Sequence, residues 1–181
     1  MGGSLGGSLE GSVAATVAEA SASPSMSSPR CGSSVSSRAD LDHYRRTMTR
    51  TGHCLCGQIS YELSGDLIAT VVCHCDHCQR QSGGPFSVNL IALESQLAVS
   101  GDLSTYEDRG ENDDAVYVLR RFCGTCGSPI YSAIIEPAGL IAVKSGTLDD
   151  RSEVTPTVEA WCEHKQPWVE LPGMVASLAR E

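Results

Sequence analysis

The chain has 181 residues, a usual length for one domain with a tail, and a formal net charge of −9. That negative charge would repel a nucleic acid, and no basic stripe offsets it, so we expect no nucleic acid partner. The longest apolar runs are far shorter than the roughly 18 to 20 residues that a membrane span needs, so we expect no membrane partner either.

The first 47 residues are rich in glycine, serine and alanine and show no apolar periodicity. Such a segment buries too little apolar surface to offset the entropy of ordering, which predicts a disordered tail over residues 1–47. Neither a secretory signal nor a myristoylation site is recognisable in it. Met48 could be the native start, and Arg45 and Arg46 leave a degenerate targeting peptide open. The simplest location is the cytoplasm, where thiols stay reduced.

The pattern from Gly52 onward is that of short β-strands. Ile59, Tyr61 and Leu63 alternate with polar residues, which is typical of a half-buried strand. Similar runs predict further strands over 68–72, 86–92, 97–100, 115–122, 130–135 and 140–144. Helix is expected only as a short turn near Gln79 and at the C-terminus. The chain is thus predicted to form a mainly β domain with little helix over residues 48–174, followed by a tail over 175–181 that could form a short helix.

Seven of the nine cysteines form three clusters along the chain. The clusters are Cys54 and Cys56, then Cys73, Cys75 and Cys78, and finally Cys123 and Cys126. Residues i and i+2 of a strand project from one face, so a C-x-C pair can direct two sulfurs at one ion, and a C-x-x-C pair does so through a tight turn. Because no export signal is visible, metal ligation is favoured over disulfides. The first and last clusters together predict a structural zinc site with four thiolates.

The middle cluster differs because Cys73, Cys75 and Cys78 supply three sulfurs from six consecutive residues. A zinc ion with three protein ligands keeps an open position, which is typical of catalytic sites. A soft donor such as a substrate thiolate would suit that position, so a sulfur-bearing substrate is implied. The alternative is a second structural site, closed by His74 or His77.

Other interpretations of the cysteines and histidines remain open at this stage. The four cysteines of the first and last clusters could form an ordinary disulfide or stay as buried thiols, and an iron–sulfur cluster is a further alternative. Cys31 and Cys162 have no partner in a motif and are interpreted as lone thiols. His53 and His164, like the two histidines of the middle cluster, are interpreted as solvated neighbours of metal loops.

Basic residues near the open site would relieve its negative charge when a second anion binds. Arg80 follows the middle cluster by two residues and is the preferred candidate to pair with a substrate carboxylate, with Lys144 as a weaker candidate. The alternative for both residues is a surface salt bridge.

The order and flanks of these motifs resemble those of a known family. The matching segments read GHCLCGQISYELSG, CHCDHCQRQSGGPFSVNL, RFCGTCGSPIYS and WCEHKQPWV. This chain resembles the glutathione-dependent formaldehyde-activating enzymes, also called the centromere-protein-V-like group, over about residues 49–172. Typical members have an arginine directly after the third cysteine of the middle cluster, whereas this chain has Gln79 there and Arg80 one place later.

The resemblance implies a β-tent fold held together by two zinc ions. It places a structural zinc at Cys54, Cys56, Cys123 and Cys126, and a catalytic zinc at Cys73, Cys75 and Cys78. It also implies a carbon–sulfur lyase that condenses glutathione, or another thiol, with a small aldehyde such as formaldehyde, and reverses that reaction. The competing hypothesis is a non-catalytic zinc module that binds a protein partner.

Overall fold

A computed structural model describes residues 49–109, 114–152 and 154–180. The predicted disordered tail, with Cys31 and the alternative start at Met48, lies outside the described residues. Within the described part, no helix has the length and apolar character needed to cross a membrane.

The fold is mainly β, as predicted, with one α-helix in the described residues, α1 (Asp76–Ser82). The strands are β1 (Arg50–His53), β2 (Ser60–Leu63), β3 (Ala69–Cys73), β4 (Ser87–Leu93), β5 (Leu97–Ser100), β6 (Leu103–Arg109), β7 (Val116–Cys123), β8 (Pro129–Ile134), β9 (Leu140–Lys144), β10 (Val158–Ala160) and β11 (Ala176–Ser177). Single 3-10 turns cover Glu94–Gln96, Ser145–Thr147 and Cys162–His164.

The strands form two sheets. The smaller sheet has the order β1-β2-β5, and the larger sheet has the order β11-β10-β3-β4-β9-β8-β7-β6. Neighbouring strands are antiparallel except at one end of the larger sheet, where β10 runs parallel to both β3 and β11. Strands that are distant in sequence, such as β4 and β9, therefore become neighbours.

The hydrophobic core combines alternate side chains from both sheets. The smaller sheet contributes Tyr61 and Leu63, and the larger sheet contributes Leu90, Ile141 and Val143, all of which are buried. Since successive strand residues point to opposite faces, the residues between these on β4 and β9 face the other side of the larger sheet. That second face carries the candidate site.

The C-terminal prediction was wrong. Instead of a helix within residues 175–180, the chain forms β11, which extends the large sheet beyond residue 174. Backbone bonds fix it there, since Val175 N–H donates to Thr157 and Leu178 N–H donates to Glu159. Pairing with a strand distant in sequence thus outweighs the local pattern.

Candidate functional site

Four sulfurs from the first and last cysteine clusters meet at one point. The Sγ atoms of Cys54, Cys56, Cys123 and Cys126 all lie within 4.8 Å of one another. Each pair sits on a tight turn. The Gly57 N–H donates to the Cys54 carbonyl and the Gly127 N–H donates to the Cys123 carbonyl, and both glycines have a positive φ, which an L-residue rarely adopts. Hydrogen bonds at Ser128 lower the pKa of Cys126 to about 5, which favours a thiolate ligand.

Three sulfurs of the middle cluster meet at a second point. Cys73 ends β3, Cys75 precedes α1, and Cys78 lies in the first turn of that helix, with all three Sγ atoms within 4.8 Å of one another. The Cys75 sulfur accepts a hydrogen bond from the Cys78 backbone N–H at 3.4 Å and so caps the helix. Neither a histidine nitrogen nor a carboxylate oxygen of the described residues joins this group.

The sulfur spacing fits metal ligation and not disulfides. Cys54 and Cys56 sulfurs lie 3.5 Å apart, Cys56 and Cys123 sulfurs 3.7 Å apart, and Cys73 and Cys75 sulfurs 3.5 Å apart. A disulfide would need about 2.05 Å. Tetrahedral zinc with bonds of about 2.3 Å places its sulfurs about 3.8 Å apart. Both clusters therefore suit a metal ion bound by thiolates.

A cavity of about 650 Å³ opens over the face of the large sheet that points away from the core. Its lining includes Cys73, Cys75 and Cys78, but none of the four cysteines of the other cluster. The floor consists of alternate residues of neighbouring strands, such as Asn89 on β4 and Lys144 on β9. The three-sulfur cluster is thus accessible to a small molecule from this cavity.

A buried ion pair borders the three-sulfur cluster. Arg120 donates through Nε and Nη2 to the same Asp108 oxygen, at 2.8 and 2.6 Å. The other Asp108 oxygen lies 2.6 Å from Nδ1 of His77. Arg120 Nη1 lies 3.9 Å from the Cys78 sulfur and 3.3 Å from the Ser132 hydroxyl. The arginine therefore links a carboxylate on β6 to a sulfur on α1.

A second buried cation lies across the cavity floor. Lys144 is 6% exposed, and its Nζ donates to Asn89 Oδ1 at 2.7 Å and to Ser87 Oγ at 3.3 Å. Among the described residues, no carboxylate forms an ion pair with it. A buried ammonium bound only by neutral groups is costly unless an anion or a strong acceptor lies nearby.

The cluster and the two cations influence each other's protonation. Hydrogen bonds from Cys73 and Cys75 hold the pKa of the Cys78 thiol well below its usual value, and the charges of Lys144 and Arg120 act in the same direction. A thiolate at Cys78 is thus favoured by the protein itself. Such a deprotonated sulfur is the form that binds a metal.

The remaining residues singled out in the sequence lie in different surroundings. Arg80 is exposed and lines a neighbouring cavity of about 460 Å³, not the cavity over the three sulfurs. His53 pairs with Asp149 and His164 lies 3.3 Å from Asp76. Cys162 is half-buried and belongs to neither sulfur group. His74 is fully buried with Nε2 3.2 Å from Glu159, so it is not a solvated neighbour of the metal loop.

Sequence reasoning missed Arg120 and its partner Asp108. The signal was ambiguous, because Arg120 and Arg121 are adjacent in β7 and so point to opposite faces, and only the sheet pairing decides which arginine faces the cavity. Asp108 lies in β6, a strand that the sequence pattern did not predict.

The chain matches the model of one protein family. The family model for "Glutathione-dependent formaldehyde-activating enzyme" matches residues 49–164, more than half of the 181 residues. No curated protein sequence matches the chain. A crystal structure of a Rhodobacter sphaeroides protein, a structural-genomics target, is similar to it with 24% identity and a TM-score of 0.46, covering 59% of this chain and 91% of that chain. On the strength of the family match, the chain belongs to the glutathione-dependent formaldehyde-activating enzyme family.

Proposed function

We propose that this protein is a zinc-dependent carbon–sulfur lyase that joins glutathione, or another thiol, to a small aldehyde such as formaldehyde, and also cleaves the adduct. The observation that carries the proposal is the location of the three-sulfur cluster, which lines a cavity of about 650 Å³ while the four-sulfur cluster does not. The membership of an enzyme family whose description names glutathione and formaldehyde supports the same reaction.

We assign two zinc ions per chain. Cys54, Cys56, Cys123 and Cys126 would hold the structural ion, and Cys73, Cys75 and Cys78 would hold the catalytic ion. An ion at the second site would supply Lewis acidity and favour the thiolate form of a substrate thiol. Arg120 would offset part of the negative charge that three thiolates and a substrate thiolate bring together, because its Nη1 lies 3.9 Å from the Cys78 sulfur.

The cavity contributes orientation and proximity. A thiol and an aldehyde confined above the sheet face one another in a restricted volume, which replaces an encounter in solution by a step within one complex. We place the enzyme in the cytoplasm, where thiols stay reduced, because both cysteine clusters are arranged for metal ligation.

Metal analysis combined with exchange NMR tests this function. We expect two zinc per chain and a faster interconversion of formaldehyde, glutathione and their adduct than in solution. Cys75→Ser should lose one zinc and the catalysed exchange while its circular dichroism spectrum stays unchanged. One zinc per wild-type chain, without accelerated exchange for any thiol, would favour the non-catalytic protein-binding module instead.

A further inference from the structure

Lys144 stands beside the three-sulfur cluster because of the strand register. Cys73 on β3 pairs with Ser87 on β4, and Asn89, two residues further along β4, pairs with Lys144 on β9. Directly paired residues share a face of the sheet, as do residues two apart in a strand. Nζ of Lys144 reaches across β4 to the Ser87 hydroxyl, 3.3 Å away, and so comes to the residue that stands opposite Cys73.

We propose that the ammonium group of Lys144 is a catalytic residue that donates a proton to the aldehyde oxygen as the carbon–sulfur bond forms, and that takes it back when the adduct breaks down. This inference rests on the proposed function and names the proton donor for it. Asn89 and Ser87 use two of the three ammonium hydrogens, which leaves the third for a ligand in the cavity.

Because Lys144 lies deep in the cavity, its expected partner is the reacting aldehyde oxygen and not a carboxylate of the substrate. The carboxylates of glutathione lie at the two ends of the tripeptide, several bonds from its sulfur. The oxygen of the aldehyde, in contrast, lies two bonds from the sulfur once the adduct has formed. Lys144 is 6% exposed and lies on the cavity floor next to the sulfur cluster. It is therefore positioned to contact the aldehyde oxygen and not a carboxylate of glutathione.

Arg120 does not fill the same role. A guanidinium stays protonated in proteins, so it can stabilise charge but cannot give up a proton. Its Nε and Nη2 groups are also occupied by Asp108. Lys144 differs, because burial lowers its pKa to about 8, and a proton donor is most effective when its pKa lies near the working pH.

The charged groups around Lys144 come from three elements. The thiolates of Cys78, Cys73 and Cys75 raise its pKa, whereas the charge of Arg120 lowers it. On β4 its partners are the neutral side chains of Asn89 and Ser87. Loss of a positive charge at Lys144 above its pKa should therefore slow synthesis of the adduct, which needs the protonated form.

The proton balance is complete within this scheme. In synthesis the sulfur of the thiolate bonds to the carbonyl carbon, the π electron pair moves to oxygen, and that oxygen takes the proton from Lys144. The proton that the thiol released on binding then restores the ammonium through solvent. In cleavage the neutral amine takes the hydroxyl proton, the carbonyl re-forms, and the thiolate leaves with the electron pair of the carbon–sulfur bond.

The test compares Lys144→Met and Lys144→Arg in the full chain loaded with zinc, using exchange NMR with formaldehyde and two thiols. One thiol is glutathione and the other is 2-mercaptoethanol, which has no carboxylate. Arg151→Gln is the matched control, because Arg151 is exposed and lines neither cavity. Zinc content and the Kd for S-methylglutathione are measured for each variant, since neither depends on proton transfer.

We expect Lys144→Met to slow the catalysed exchange about 10²-fold or more with both thiols, and to leave zinc content and S-methylglutathione binding unchanged. Lys144→Arg keeps the positive charge but cannot give up a proton, so it should also slow the exchange with both thiols, and it should lack the decline of the synthesis rate that the wild type shows above about pH 8. A loss confined to glutathione, with weaker S-methylglutathione binding, would make Lys144 a carboxylate-binding residue and overturn the inference, as would wild-type rates in Lys144→Met. A wild-type protein that accelerates neither thiol would overturn the proposed function and the inference with it.

Discussion

The ion pair of Asp108 and Arg120 shows how single residues support the site. Both side chains are 9% exposed, so neither charge is well solvated. Removing one partner of a buried pair leaves the other charge uncompensated, which costs about 3 to 5 kcal/mol. We therefore expect Arg120→Gln to lower the free energy of unfolding by about that amount, measured by urea denaturation of the zinc-loaded protein.

The matched control is the double variant Asp108→Asn with Arg120→Gln. It removes both charges at once, so it should lose less stability than the sum of the two single variants. Strict additivity would show that the two side chains do not interact energetically, and would contradict the role of the pair in holding Arg120 3.9 Å from the Cys78 sulfur.

At the scale of elements, β1 can pair with β2 in the small sheet because Gly52, which stands opposite Tyr61, has no side chain. A Cβ atom at Gly52 would lie 2.3 Å from the Tyr61 ring and 2.5 Å from the Thr147 carbonyl oxygen. The Tyr61 hydroxyl also lies 2.9 Å from the Thr147 hydroxyl, so the ring cannot move without losing that contact. Gly52→Ala should destabilise the protein by about 1 to 3 kcal/mol through overpacking, measured by thermal unfolding.

Gly146→Ala is the control for this prediction. A Cβ atom there would meet no other atom within 4 Å, so we expect a change within about 0.5 kcal/mol. Equal effects of the two substitutions would mean that chain entropy, and not the contact with Tyr61, explains the loss.

The secondary-structure elements also show which parts of the fold the sequence alone could predict. The strand β2, with its alternating apolar residues, and the strand β9, a short apolar run, were predicted nearly to the residue, and the short turn predicted near Gln79 is the helix α1. The strands β10 and β11 were missed because three and two residues carry no periodic signal and depend on pairing with β3 and with each other. Cysteine spacing is a local property and predicted which sulfurs group together. The positions of Arg120 and Lys144 beside them depend on register between strands, which no local pattern encodes.

At the scale of the whole molecule, the two sulfur clusters should contribute differently to the stability of the fold. The four-sulfur cluster joins the turn after β1 to the turn after β7, and its sulfurs on Cys56 and Cys123 are 67 residues apart in the chain. A metal ion bound there would close a long loop of the chain. The three-sulfur cluster joins residues that β3 and α1 already place next to one another. Removing its ion should therefore cost function but little structure.

This difference predicts two stages when a zinc chelator is titrated into the protein. The first zinc should leave the site with three protein ligands, ending catalysed exchange while the β-sheet circular dichroism signal persists. The second zinc should leave together with that signal, because structural zinc can contribute roughly 10 to 16 kcal/mol to folding. Cys75→Ser should fold with one zinc and show only the second stage, whereas Cys56→Ser should not fold. Release of both ions in one step, together with the loss of the sheet signal, would contradict the division between a catalytic and a structural ion, because it would make the three-sulfur site as necessary for folding as the four-sulfur site.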